Sequence, residues 1–224
     1  MEINNPKYKN IGIHLAATIF TVDRGVTKVL LIKRNNEPFK GYWALPGGAM
    51  YNDERIMDGI LRELKEKVGI ENIDLKLYGV FDQIDRSPLK RMIALTYIGV
   101  LDIETVELLK ETPKASEISW VELDKVPELA YDFNEILAQG IEELKEQIVK
   151  TDLLKSLFPN GFTLPELHNV YTSILGIDVD RRNFRKKMIN LDLIKDTNKT
   201  IVYKGKKPAK LYVFNDIKEQ RSIF

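Results

Sequence analysis

The 23 residues GAMYNDERIMDGILRELKEKVGI, Gly48 to Ile70, constrain this chain more than any other stretch. They predict a helix that Asn52 or Asp53 can cap, that Gly69 can stop, and that no proline interrupts. Glu63 and Glu66 stand three residues apart, which sets their carboxylates side by side on one face. Hard cations such as Mg²⁺ take oxygen ligands and usually bridge to substrate phosphates, so this face is a candidate cation site; the plainer alternative is a solvated acidic surface. Lys67 bears on both readings. At about 100° per residue it falls between Ile56 and Ile60, at the edge of the apolar stripe and one turn beyond Glu63. Its ammonium is expected to pair with Glu63 and to take over part of the charge role of a cation.

The flanking segments read as strands. IGIHLAATIF and VTKVLLIKR, joined by VDRG, predict a pair; LKLYGVFDQI and MIALTYIGVL predict two more around DRSPLKR; ISWVEL is a further short one. Asp132 followed by Glu135 predicts a capping pair that opens an amphipathic helix from Phe133 to about Val149. Strands alternating irregularly with two helices imply an α/β sandwich rather than a βαβ array.

After Lys150 the character changes. Residues 151–224 carry 14 Lys+Arg against 8 Asp+Glu, net +6, which leaves residues 1–150 with 20 against 25, net −5. An acidic front and a basic tail suggest two jobs, the second directed at a polyanion. FTLPELHNVYTSILG predicts a helix with Thr163 as N-cap, Pro165 in its first turn and Gly176 at its end. DRRNFRKKMINLDLI predicts a basic helix with Phe184, Met188 and either Leu191 or Ile189 on one side. TIVY and KLYVF, joined by a basic turn with Gly205 and Pro208, complete the order of a winged helix-turn-helix. Arg181, Arg182, Asn183, Arg185, Lys186 and Lys187 would face the major groove, where Arg reads guanine and Asn reads adenine. Lys204, Lys206, Lys207 and Lys210 in the wing suit phosphates or the minor groove. The expected division is an effector-binding domain over 1–150 and a DNA-binding domain over 151–224, acting as a homodimer on paired half-sites.

Composition narrows the setting. With no cysteine there is neither a disulfide frame nor a zinc site with cysteine ligands. MEINNPKYKN lacks the apolar core of a signal peptide, and no apolar run approaches the roughly 18 residues of a membrane span. A cytoplasmic protein with no membrane partner is expected.

Gly48, Glu54, Arg62, Glu63, Leu64, Glu66, Gly69 and Ile70, preceded by WALPGG, resemble the Nudix box. The resemblance implies a Nudix α/β/α sandwich with a mixed sheet from about Ile11 to Lys150. It also implies Mg²⁺ or Mn²⁺ held by Gly48, Glu63 and Glu66, and a catalytic set of Glu54, Arg62, Glu63 and Glu66. The implied reaction is metal-assisted hydrolysis of a nucleoside diphosphate joined to another group. Lys67 stands where that family has a second, metal-binding glutamate, so hydrolysis is expected to be weak or lost, with no cofactor in that case. Glu104, Glu107, Glu111 and Glu117 are alternatives for completing a metal site.

The chain as a whole resembles the Nudix-related transcriptional regulators, bacterial proteins that fuse a Nudix-like sensor to a winged helix and respond to ADP-ribose or to sugars. DRSP, Asp85 to Pro88, falls where that family has an Arg-Asp-Pro-Arg type of turn; VPELAYDFNEIL is similar to its Pro-x-Leu-Ala-Phe-Asp-His stretch, with Phe133 for the histidine. FTLPELHNVY, DRRNFRKK and GKKPAKLYVF match its C-terminal domain. The resemblance implies operator DNA and a small-molecule effector as partners, with coupling through the helix that begins at Phe133. Ser87 and Leu89 replace an acid and an arginine of the family's turn, which turns the expected effector from ADP-ribose toward a nucleotide sugar or phosphosugar, and then a plain sugar. Arg34, Trp43, Arg86 and Arg91 are candidate ligand contacts, while His14 and His168 read as ordinary packing or surface residues. The alternative function is a Mg-dependent Nudix pyrophosphatase acting on ADP-ribose or a related compound, its tail a dimerisation or lid module.

Overall fold

The computed structural model describes residues 11–148, 152–203 and 207–216. β1 (Gly12–Asp23) and β2 (Val26–Arg34) form an antiparallel hairpin with Phe20 opposite Val29 and Asp23 opposite Val26. Arg24 and Gly25 turn it with φ of 50° and 79°, the left-handed pair that a two-residue hairpin turn requires. The proline- and glycine-rich stretch that follows reads in sequence as a loop, yet it contributes two short strands. β3 (Trp43–Ala44) pairs with β2, and β4 (Gly47–Ala49) pairs with β1.

Helix α1 (Ile56–Val68) begins later than Asn52 or Asp53 would have it. Arg55 occupies the N-cap position without a side-chain cap, and the Glu54 carboxylate instead takes the Tyr51 amide at 2.7 Å. Gly69 ends the helix as expected, at φ 84° with its N–H on the Leu64 and Lys65 carbonyls.

β5 (Lys76–Phe81) runs antiparallel to β6 (Met92–Val100), and β6 lies parallel to β1 from Met92 opposite Gly12 to Val100 opposite Phe20. β7 (Ala115–Glu122) pairs with β2 on the other side, which completes a mixed sheet. Opposite faces of that sheet are covered by α1 and by α2 (Phe133–Ile148). Both helices meet β1: a side chain added at Gly59 of α1 would meet Leu15, and one added at Gly140 of α2 would meet Thr18. Leu15 and Thr18 differ in parity along the strand and so point to opposite faces. The expected α/β/α sandwich is therefore the observed one. The capping pair at the start of α2 is not: the Asp132 carboxylate is turned to Arg86, and only its carbonyl serves the Glu135 and Ile136 amides.

The second unit comprises α3 (Asp152–Lys155), α4 (Leu164–Leu175), α5 (Arg181–Asn190), β8 (Ile194–Ile201) and β9 (Ala209–Phe214). Thr163 and Glu166 close a full capping box on α4, and Gly176 ends it at φ 66°. Phe184 and Met188 anchor α5; Leu191 is half-buried while Ile189 is 47% exposed, so Leu191 continues the buried side. β8 and β9 pair as an antiparallel wing. The expected boundary between residues 150 and 151, the helix end at Val149, and wing residues Lys204, Gly205 and Lys206 lie outside the described residues.

The two units share one hydrophobic cluster, reaching from Leu15 in β1 to Tyr212 in β9. Thr27 of β2 and Ser173 of α4 share a 2.6 Å hydrogen bond, and the Tyr171 hydroxyl of α4 donates to the Ile148 carbonyl at the end of α2 at 2.8 Å. Among the described residues no helix is long and apolar enough to cross a membrane.

Candidate functional site

Arg62 organises the acidic helix. Its Nε and Nη2 donate to the two oxygens of Glu54, each at 2.8 Å, and its Nη1 donates to Glu63 Oε1 at 2.7 Å. The guanidinium lies 3.9 Å from the centre of the Tyr51 ring, which holds it from the outer side. Lys67 approaches the same carboxylate from the other end, with Nζ 2.9 Å from Glu63 Oε2, and also donates to the Gly47 carbonyl. Gly48 is required for this packing, because a Cβ there would collide with the Glu63 carboxylate. Hydrogen bonds from Arg62, joined by the Tyr51 amide, outweigh desolvation and hold the Glu54 carboxyl down at about 2. Burial pushes Glu63 up, but Lys67 and Arg62 together bring it below its ordinary value. Burial lowers Lys67 against the opposing pull of Glu63.

The resemblance implies a divalent cation on Gly48, Glu63 and Glu66, and the residues do not fit one. Both Glu63 oxygens face cationic side chains, and the Gly47 carbonyl beside Gly48 is taken by Lys67. Glu66 stands half in solvent, 3.6 Å from Arg62. Among the described residues no group of three or more His, Cys, Asp or Glu side chains is arranged to hold a metal, so none of Glu104, Glu107, Glu111 and Glu117 completes a set. Glu117 instead lies 3.8 Å from Lys33.

Beside Lys67 opens a pocket of about 340 Å³. Arg34, Lys67, Arg86 and Lys90 border it, together with the Gly47–Ala49 strand, His14, Ser87, Leu89, Met92 and Tyr131; among the described residues no carboxylate side chain lines it. Arg34 is fixed by the carbonyls of Pro38 and Asn36, at 3.0 and 3.3 Å, and stands 5.1 Å from the centre of the Tyr131 ring. Arg86 is buried and grips both Asp132 oxygens, at 2.8 and 2.7 Å, immediately before α2. His14 stacks on Phe133 with ring centres 5.6 Å apart. Burial first, then Arg86 and Lys67, lower its pKa to about 3, so it is neutral at physiological pH.

Of the four ligand contacts expected from sequence, Arg34 and Arg86 meet in this pocket. Trp43 and Arg91 do not line it: Trp43 sits beneath Lys33, 5.9 Å from the ring centre, and Arg91 donates to the Gln83 and Met92 carbonyls. His14 packs on Phe133 and also lines the pocket. Tyr131 and Lys90 lie within VPELAYDFNEIL and DRSPLKR but are not among the contacts expected from sequence; Tyr131, at φ 56°, holds a backbone conformation that marks a special position.

On the second unit, Arg181, Arg182, Asn183, Arg185, Lys186 and Lys187 are all exposed along α5, while Phe184 and Met188 hold its other side in the core. The Asp180 carboxylate caps the helix through the Asn183 amide at 2.8 Å, which leaves the Asn183 side chain on the open face. Lys207 is exposed; Lys210 is exposed but paired with Asp196 at 2.7 Å. Lys204 and Lys206 lie outside the described residues. His168 is buried, its Nε2 2.5 Å from the Val179 carbonyl, consistent with a packing role.

Family models match both units: a NUDIX domain over residues 12–144 and an NrtR DNA-binding winged helix domain over residues 155–214. Along 200 residues the chain is 34% identical to the ADPR responsive transcriptional repressor NtrR of Acinetobacter baylyi, covering 88% of this chain and 79% of that protein. It is 36% identical over 131 residues to the ADP-ribose pyrophosphatase of Methanocaldococcus jannaschii, covering 58% of this chain and 75% of that one. The crystal structure of Shewanella oneidensis NrtR complexed with a 27mer DNA superimposes with a TM-score of 0.73 at 26% identity, covering 91% of this chain and 93% of that one. The NUDIX domain of the same protein complexed with ADP ribose matches with a TM-score of 0.58 at 27% identity, covering 62% of this chain and 93% of that one.

Proposed function

The chain belongs to the Nudix family and carries an NrtR DNA-binding winged helix domain, and from that premise we propose that it is a transcription regulator whose Nudix domain senses ADP-ribose, or a close nucleotide sugar, without hydrolysing it. The observation that carries this reading is the pocket beside Lys67, bordered by four cationic side chains and no carboxylate, where a metal-dependent hydrolase needs acidic ligands. ADP-ribose offers such a pocket two adjacent phosphates. The relative bound to ADP ribose and the relative named for its response to it support that choice over a plain sugar. Ser87 and Leu89 change the turn at the pocket edge but remove none of Arg34, Lys67, Arg86 and Lys90.

α5 is the element that reads DNA, with Arg181, Arg182, Asn183 and Arg185 toward base edges and Lys186 and Lys207 toward phosphates. Two copies of the chain, each presenting one α5 to a half-site, form the operator-bound unit. Effector binding reaches α5 through α2: Arg86, in the pocket, holds Asp132 before that helix, and Tyr171 of α4 holds its other end at Ile148.

The test combines a gel shift on DNA upstream of the chain's own gene with an assay for AMP. Wild type should bind that DNA, with ADP-ribose changing the affinity, and Lys186→Ala should reduce the salt slope by about one unit. Turnover of ADP-ribose with Mg²⁺ above about 1 s⁻¹, an ordinary enzyme rate, would put the pyrophosphatase reading first.

A further inference from the structure

We propose that Lys67 is the built-in counter-cation for the effector's diphosphate, so that this pocket binds a nucleoside diphosphate with no divalent metal between protein and phosphate. The proposal takes the site from the reading above and adds how the phosphates are recognised. An ammonium group carries three protons. Lys67 donates one to the Gly47 carbonyl and lies as an ion pair 2.9 Å from Glu63 Oε2, and among the described residues no other acceptor engages it. The same side chain borders the pocket. It is buried, where a charge interacts with an approaching phosphate far more strongly than a solvated lysine would.

The surrounding residues make sense as supports for that ammonium. Glu63 is held at its other oxygen by Arg62, which is itself clasped by Glu54, so the carboxylate is an anchor for Lys67 and not a free ligand. Gly48 supplies the space for the Glu63 carboxylate. Across the pocket, Arg34 meets carbonyls and the Tyr131 ring, with its charge opposed by no carboxylate in the lining. A glutamate at position 67 would change the local charge by two units and set carboxylates against phosphates, an arrangement that requires a bridging cation. With lysine the bridge is covalently part of the protein. The consequence is regulatory: occupancy follows the concentration of the diphosphate alone and is independent of free Mg²⁺.

Calorimetric titration of the full chain with ADP-ribose, in excess EDTA and in millimolar Mg²⁺, tests this. Wild-type Kd values should agree within roughly twofold between the two buffers. Lys67→Met should weaken binding by more than about tenfold in both buffers, whereas Lys67→Glu should lose it in EDTA and recover it with Mg²⁺. Operator binding without effector reports that each variant is folded; if neither folds, the wild-type comparison decides. Wild-type binding that appears only with Mg²⁺, or a folded Lys67→Met that binds like wild type, overturns the proposal. Inorganic pyrophosphate and UDP-glucose form a second arm. If they bind in EDTA with the same dependence on Lys67 while ADP-ribose does not, ADP-ribose falls as effector and the lysine's role stands. If no diphosphate binds in either buffer, both fall.

Discussion

At the scale of single residues, the site is a chain of mutual constraints around one carboxylate. Glu63 is buried and ion-paired at both oxygens, and each partner is positioned by something else: Arg62 by Glu54 and Tyr51, Lys67 by the Gly47 carbonyl. Gly48 is the passive member, needed because of space and not because of its backbone angles. Gly48→Ala forces the carboxylate away from one or both cations and leaves a buried charge poorly compensated. We expect a loss of about 2 kcal/mol, seen as a fall in Tm of roughly 4–8 °C for a domain of this size. The substitution should also weaken ADP-ribose binding, since Lys67 would lose its anchor. An alanine variant with unchanged Tm and unchanged affinity would show that Glu63 is not held as described.

At the scale of elements, what could be read from sequence depended on whether the signal was local. The longer strands and α1, α2, α4 and α5 announce themselves by apolar periodicity and by residues such as Gly69, Thr163 and Gly176, whose roles are fixed within a few positions. β3 and β4 are two and three residues long, too short for alternation to register, and only pairing with β2 and β1 makes them strands. The pocket was less legible, because His14, Arg34, Arg86 and Tyr131 come from distant segments and no spacing rule brings them together. Arg86 shows the difficulty well: its bond to Asp132 spans 46 positions and displaces the capping role that Asp132 has in the sequence pattern. That bond gives α2 its place in the proposed mechanism. One end of the helix is tied to a pocket residue and the other to the Tyr171 hydroxyl, at 2.8 Å from Ile148. Tyr171→Phe removes the second tie at a cost of about 1 kcal/mol in stability. Effector affinity of the DNA-free protein should be unchanged, while the ratio of operator affinities with and without ADP-ribose should shrink, measured by fluorescence anisotropy on labelled operator. A full ratio in the variant would mean that the signal leaves the Nudix domain by another route.

At the scale of the whole molecule, the two family modules are built as one body. Their apolar residues form a single cluster, β2 and α4 share the Thr27–Ser173 hydrogen bond, and α2 is bonded to α4 through Tyr171. Modules joined only by a tether would unfold separately, and effector bound to one would leave the other's stability untouched. A shared core predicts the opposite. Calorimetric unfolding should give one transition, with van't Hoff and calorimetric enthalpies in agreement. ADP-ribose at about 100 times its Kd should stabilise that entire transition by about 2.7 kcal/mol. Hydrogen exchange should then slow at the most protected amides of α4 and α5 as well as in β1 and β6, because global unfolding is their common route to exchange. Two separable transitions, or protection confined to the sheet, would mean that the shared core is too weak to carry occupancy of the pocket to the recognition helix. A single transition that moves as a unit makes the Nudix domain and the winged helix domain parts of one cooperative structure, in which effector binding can alter DNA affinity without a separate hinge.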